Sequence, residues 1–194
     1  PNLPRGRRWQ HWLTPAFTAI AIGTPLNTLE VGAAWWVVFA FGGILLASVF
    51  IAEYISVDSA DARFSFASLG LTAVSFALFL VLVTAIKGAG LRLYILLAAI
   101  IPTVFLISTR SLYLRLAGTW KLAWAAAITL IVTQLASSLF YLPLRPLQFG
   151  LILLGIFYGL ISIATNLEEK RSSPSIWIEA GVMAAFFMLI GVFI

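Results

Sequence analysis

Three of the seven carboxylates in this 194-residue chain, Glu53, Asp58 and Asp61, fall within nine positions, and Arg63 stands two residues after the last of them. Carboxylate oxygens are hard ligands, so Asp58 and Asp61 could take a divalent cation if their segment folds them together. Such cations ordinarily require more oxygen ligands than two side chains supply, so no metal site is expected here. Two carboxylates lie against long apolar runs: Glu53 at the end of one, and Glu179 about a turn into the last. Ionisable groups inside hydrocarbon are costly and functional by default. Both of these sit near enough to a boundary to read as carboxylates paired with an arginine or a helix N-terminus, with a buried proton or ion site as the alternative.

The most interior strongly polar side chain is Gln134, flanked by Thr129, Thr133, Ser137 and Ser138. At helical spacing Thr133, Gln134 and Ser137 lie near one face. The expected role is hydrogen bonding between helices, with a ligand or pigment contact as the alternative. Gly155 and Gly159 form a GxxxG pair, which lets helix backbones approach closely and is read as packing within the bundle. Other chemistries are excluded by what is missing. His11 is the single histidine and there is no cysteine, so bis-histidine haem, zinc sites of the usual composition, disulfides and thiolate nucleophiles cannot be built. No lysine stands between Ser175 and Ile194 to form a Schiff base with retinal, and no phosphate-cradling glycine loop occurs. No catalytic residue is assigned, and the cofactor, if one is bound, is unknown.

The elements that must carry these residues are evident from composition. Hydrophobic residues make up 62% of the chain and charged residues 10%, against about 45–50% and about 25% in soluble domains. The apolar residues come in six blocks: Val31–Ile55, Phe64–Ile86, Leu91–Ser108, Trp120–Tyr141, Leu147–Leu167 and Ser175–Ile194. Each is close to the twenty or so residues needed to cross about 30 Å of hydrocarbon. A seventh stretch, Trp12–Leu29, carries Pro15, Gly23, Pro25, Asn27 and four threonines, and could span, re-enter or lie at the interface. Pro102 falls inside the Leu91–Ser108 block and is expected to kink it. The loop Thr109–Gly118 mixes leucine, tyrosine and arginine and reads as a helical turn on the membrane surface.

Lysine and arginine gather in short cytoplasmic loops. If Trp12–Leu29 does not span, Arg5, Arg7, Arg8, Lys87, Arg92 and Arg145 stand opposite Arg63, Arg110, Arg115, Lys121, Lys170 and Arg171, and neither side is favoured. If it spans, only Lys87, Arg92 and Arg145 stand against the other nine. The bias selects an all-α bundle of seven spans, with six plus an interfacial or re-entrant N-terminal segment as the alternative. Residues 1–11 form a basic cytoplasmic segment, residues 12–194 a single transmembrane domain, and the C-terminus lies outside. Trp9, Trp12, Trp120, Tyr141 and Trp177 stand at block edges, as headgroup-seeking rings do. The chain opens Pro1-Asn2-Leu3-Pro4 without methionine, so a few preceding residues are expected, and continuous apolar blocks exclude a signal peptide followed by a soluble domain.

Glu53-Tyr54-Ile55-Ser56-Val57-Asp58, Asp61-Ala62-Arg63-Phe64, Tyr141-Leu142-Pro143-Leu144 and the region around Glu179 together resemble a family of uncharacterised seven-span bacterial membrane proteins, catalogued as a domain of unknown function. The resemblance implies the topology and a bacterial cytoplasmic membrane, and no activity. Gln134 stands where the family pattern implies glutamate, and Phe140 where it implies asparagine. The formal net charge of +5 is scattered between apolar blocks rather than gathered in a stripe, so the partners expected are the lipid bilayer and other membrane subunits, not nucleic acid. Three functions are compatible with this reading. The first is a non-catalytic integral subunit of a larger membrane assembly, the second a small transporter or channel with helices broken at Pro15, Pro25 or Pro102, and the third a lipid-acting enzyme using the Glu53–Arg63 segment.

Overall fold

The computed structural model describes residues 12–28, 30–56, 64–116, 119–169 and 174–193. Among these the regular structure is entirely α-helical: α1 (Leu13–Thr28), α2 (Ala33–Ile55), α3 (Phe64–Gly88), α4 (Leu93–Arg115), α5 (Leu122–Phe140), α6 (Pro146–Glu168) and α7 (Pro174–Phe193). Five of them, α2 to α6, are long and apolar enough to cross a membrane. At 1.5 Å per residue the shortest, α5 with 19 residues, reaches about 28 Å. α1, at 16 residues, reaches about 24 Å. The chain divides into two compact units, Pro1–Leu78 and Phe79–Ile194, with the boundary inside α3.

In the first unit α1 and α2 pack side by side. Gly42 makes this possible, because a Cβ at that position would collide with the Ile22 side chain. The last carbonyls of a helix have no partner within it. At the end of α1 the Trp35 indole N–H donates to the Leu26 carbonyl oxygen at 3.1 Å and satisfies one of them. Trp12 meets Phe50 edge to face at 6.4 Å, at the opposite end of the same helix pair. α1 runs without a break through positions 15 and 25. Pro15 lies in the first helical turn, where a missing N–H leaves no bond unmade.

The second unit is built around α6, which packs against α4, α5 and α7. Its buried face carries Phe149, Leu153, Phe157 and Ile161, all fully enclosed, at spacings of four residues. Phe157 stacks on Phe79 of α3 with ring centres 4.6 Å apart. α6 starts where Arg145 turns extended and Pro146 supplies a helix-ready first residue. Gln148 Oε1 accepts the Arg145 backbone N–H at 2.9 Å, closing the entry turn. The preceding corner between α3 and α4 turns at Gly90, whose φ of 63° is left-handed and suits a residue without a side chain.

α4 differs from the sequence expectation. The interfacial turn foreseen at Thr109–Gly118 is, as far as Arg115, two further turns of one helix. The physical reason is local: the Ser108 hydroxyl donates to the Val104 carbonyl at 2.6 Å, and the Thr109 hydroxyl to that of Phe105 at 2.7 Å. Each polar side chain is thereby absorbed by its own helix. α4 also continues across Pro102, and the Thr103 hydroxyl donates to the Ala99 carbonyl at 2.8 Å in the turn that lacks the proline N–H.

Side chains partition in an unusual sense. Trp36, Phe41, Ile44, Ile51, Tyr54, Phe66 and Leu69 are exposed, while Ser75, Thr103, Ser108, Ser111, Thr129 and Thr165 are buried. Exposed apolar surface of this extent marks a face made for lipid or for another protein.

Candidate functional site

Three places in the described structure combine polar chemistry with defined geometry. The first is the end of the second unit where α4 finishes, α5 begins and α6 finishes. Lys121, at the start of α5, pairs with Glu168 Oε2 at 2.7 Å. One turn on, the Trp124 indole N–H donates to Glu168 Oε1 at 2.8 Å, so both carboxylate oxygens are engaged. Trp120 lies 4.9 Å from the Tyr113 ring of α4. The Arg110 guanidinium stands 5.6 Å from that same ring, and Arg115 stands 5.4 Å from Tyr158 of α6. Cation and aromatic face attract through the ring quadrupole, by about 0.5–1 kcal/mol where exposed and more where desolvated. Arg110 itself is only 2% exposed, within the buried run Ser108-Thr109-Arg110-Ser111.

The second is the opposite end of the unit. Lys87, in the last turn of α3, donates from Nζ to the Phe140 carbonyl oxygen at 3.1 Å. Its ammonium also lies 4.5 Å from the Phe140 ring centre and 5.2 Å from that of Phe149. A lysine here fills an orphan acceptor at the C-terminus of α5 and complements the negative end of that helix.

The third is the face of α5 turned away from the bundle. Ala125, Ile128, Thr129, Val132 and Ala136 form its buried side. Ala123, Ala127, Leu130, Gln134, Ser138 and Tyr141 are exposed. They recur over eighteen positions in five steps, about 3.6 residues per step, so they form a straight stripe along the helix. Gln134 sits at its centre, and its carboxamide makes no hydrogen bond among the described residues. α5 turns Gln134 diametrically away from its own buried side.

The remaining residues singled out from the sequence fall as follows. Thr133 is half-buried on the flank of α5, with its Oγ1 enclosed and without a hydrogen bond. Ser137 donates to the Thr133 carbonyl at 2.9 Å, and Ser138 to that of Gln134 at 3.1 Å. α7 comes close at Gly155: a Cβ there would stand 2.9 Å from Phe187 Cβ and 3.0 Å from the Ala184 carbonyl oxygen. Gly159, one turn further, is buried. Glu53, two residues before the end of α2, is 3% exposed, and the Ser56 hydroxyl lies 2.9 Å from its carbonyl and 3.4 Å from its Oε2. Asp58, Asp61, Arg63 and His11 lie outside the described residues, as does the side chain of Glu179 on α7. Among the described residues no three of His, Cys, Asp and Glu gather where a metal ion could be held. The residue that sequence reasoning misplaced is Arg110. Its signal was there: four polar positions in a row with no glycine or proline to end the helix.

The fold and these three places define an all-helical chain with several membrane-length apolar helices, polar clusters at two sets of helix ends and one exposed carboxamide midway along α5. A family model described as Protein of unknown function (DUF5656) matches residues 1–194, and the chain belongs to this family. No curated protein and no solved structure matches it.

Proposed function

We propose that this protein is a non-catalytic integral membrane subunit whose work is to pack against other membrane proteins and lipid. The observation that carries the proposal is where the interior hydroxyls go. Those of Thr18, Ser75, Thr103, Ser108, Thr109, Thr129 and Thr165 each donate to the carbonyl four residues earlier on their own helix. Most interior hydroxyls are thus consumed by backbone, the enclosed Thr14, Thr84, Ser111 and Thr133 oxygens being the exceptions among the described residues, whereas a transport path or catalytic centre needs polar groups converging on a space between helices. Many large aromatic and aliphatic residues meanwhile face outward on α2, α3, α5 and α7. In water that arrangement is unfavourable, and against lipid tails or apolar protein faces it is stable.

The same reading favours seven spans in a bacterial cytoplasmic membrane, with residues 1–11 inside and the C-terminus outside. The support is the nine-to-three distribution of Lys and Arg obtained when α1 crosses. The reach of α1, about 24 Å, falls a few ångströms short of typical hydrocarbon, a mismatch that local bilayer thinning accommodates. Tags at each terminus, scored for protease protection in sealed vesicles, test the sidedness. Exposure of both termini on the same face would remove α1 from the count. Affinity purification of the tagged protein from native membranes, after mild in-membrane cross-linking, tests the function. Recovery of stoichiometric membrane partners is expected, and a solitary monomer would overturn the proposal.

A further inference from the structure

We propose that the outward stripe of α5 is a self-association seam, in which Gln134 of one copy hydrogen-bonds to Gln134 of a second copy of this chain. The inference rests on the reading that the protein spans a membrane and packs against other membrane proteins, and it names one of those partners.

The position of the carboxamide carries the argument. Gln134 is three residues past the midpoint of Leu122–Phe140, roughly 5 Å along the axis at 1.5 Å per residue. The hydrocarbon extends about 15 Å to either side of its centre, so this side chain lies well inside it. A primary amide left without partners there loses its hydrogen bonds to water and gains none. Neither lysine nor arginine length is available to carry the polar group to the interface, because two methylenes cannot cover the remaining depth. Ser138, one turn on, does not satisfy the amide, since its own proton goes to the Gln134 carbonyl.

The occupant follows from symmetry. Two copies inserted by the same topology rule share one orientation, so two α5 helices meeting on a two-fold axis along the membrane normal run parallel. In a parallel pair, residue 134 faces residue 134. The carboxamide has both donors and an acceptor, so it is complementary to itself: each Nε2 donates to the other Oε1, and both groups are satisfied at once. Ala123 and Ala127, at a spacing of four, bring the backbones close on the N-terminal side of Gln134. The Ser138 oxygen retains acceptor capacity for the second amide proton. A carboxylate or an ammonium at position 134 would repel its own copy, whereas an amide does not. Seam residues of this kind set register and partner number.

The chain has no cysteine, so single cysteines can be introduced without a background. The test uses the full-length protein in its expression membrane, with Ala127→Cys and Ser138→Cys on the stripe and Ile101→Cys as an exposed control on α4. Oxidation is expected to give a disulfide-linked species of twice the chain's mass at the two stripe positions and not at the control. Gln134→Leu is expected to weaken the association about 5- to 30-fold, as the loss of two interhelical hydrogen bonds implies, while Gln134→Asn retains most of it. The thermal unfolding of Gln134→Leu in detergent should match the parent, because the side chain faces away from the bundle. Three results would overturn the proposal: no cross-link at either stripe position, association indifferent to Gln134→Leu, or a cross-linked species containing a different polypeptide. The last would leave the membrane-subunit reading standing while removing this seam from it. Loss of folding in Gln134→Leu would equally overturn it, by placing the side chain inside.

Discussion

Replacing Gly155 by alanine adds one methyl group at a close approach between α6 and α7. That carbon would lie 2.9 Å from Phe187 Cβ and 3.0 Å from the Ala184 carbonyl oxygen. Both are fixed to the α7 backbone, so no rotamer change relieves the contact. Carbon atoms sit best about 3.5–4.0 Å apart, so the helices must separate locally by about 0.6 Å or more. A gap of about 0.5–1 Å forfeits a quarter to a half of the dispersion energy of the atoms bordering it. Overpacking of this kind in other cores costs about 1–3 kcal/mol, and Gly155→Ala should fall in that range, with Gly155→Leu beyond it. Intrinsic helix propensity acts in the other direction by about 1 kcal/mol, and its size can be read separately. Gly70 in α3 has open space where a Cβ would stand, so Gly70→Ala should be neutral or stabilising. The assay is equilibrium unfolding in mixed micelles, with detergent denaturant titrated and helix content followed by circular dichroism. If Gly155→Ala is as stable as Gly70→Ala, the close approach of α7 to α6 at this glycine is refuted.

Other substitutions probe the same unit. Phe157→Ala empties a fully enclosed site against Phe79 and should cost about 3–5 kcal/mol in the same titration. Lys87→Met removes the hydrogen bond to the Phe140 carbonyl and the cation over two rings, and should cost about 1.5–3 kcal/mol, measured alongside faster amide exchange at the end of α5. Glu168→Gln breaks a pair in which both side chains keep solvent access, so it should change stability only slightly, and the difference from the parent should shrink as salt is raised. An unfolding midpoint for Glu168→Gln far below the parent's would show that the pair is more enclosed than its geometry indicates.

Composition and spacing were enough to establish that the chain is all helix, where α2, α3, α5 and α6 begin and end to within a few residues, and that ionisable groups avoid their middles. Both follow from local physics: an apolar run of this length has one way to satisfy its backbone away from water, and charges collect where water returns. The close contact at Gly155 was legible as a GxxxG spacing, but not which helix it admits. What only tertiary structure decided is which side of each helix turns inward. Every face of these helices is apolar, so the usual contrast between a greasy core side and a wet outer side is absent, and periodicity cannot assign the burial of Gln134, Thr133 or Glu53. Arg110 shows the same limit from the other direction. A cation after an apolar block reads as an interface, and only neighbouring helices enclosing the end of α4 make it an interior residue. Facing is set by volume and hydrogen bonding between segments far apart in sequence, and a pattern along one segment does not contain it.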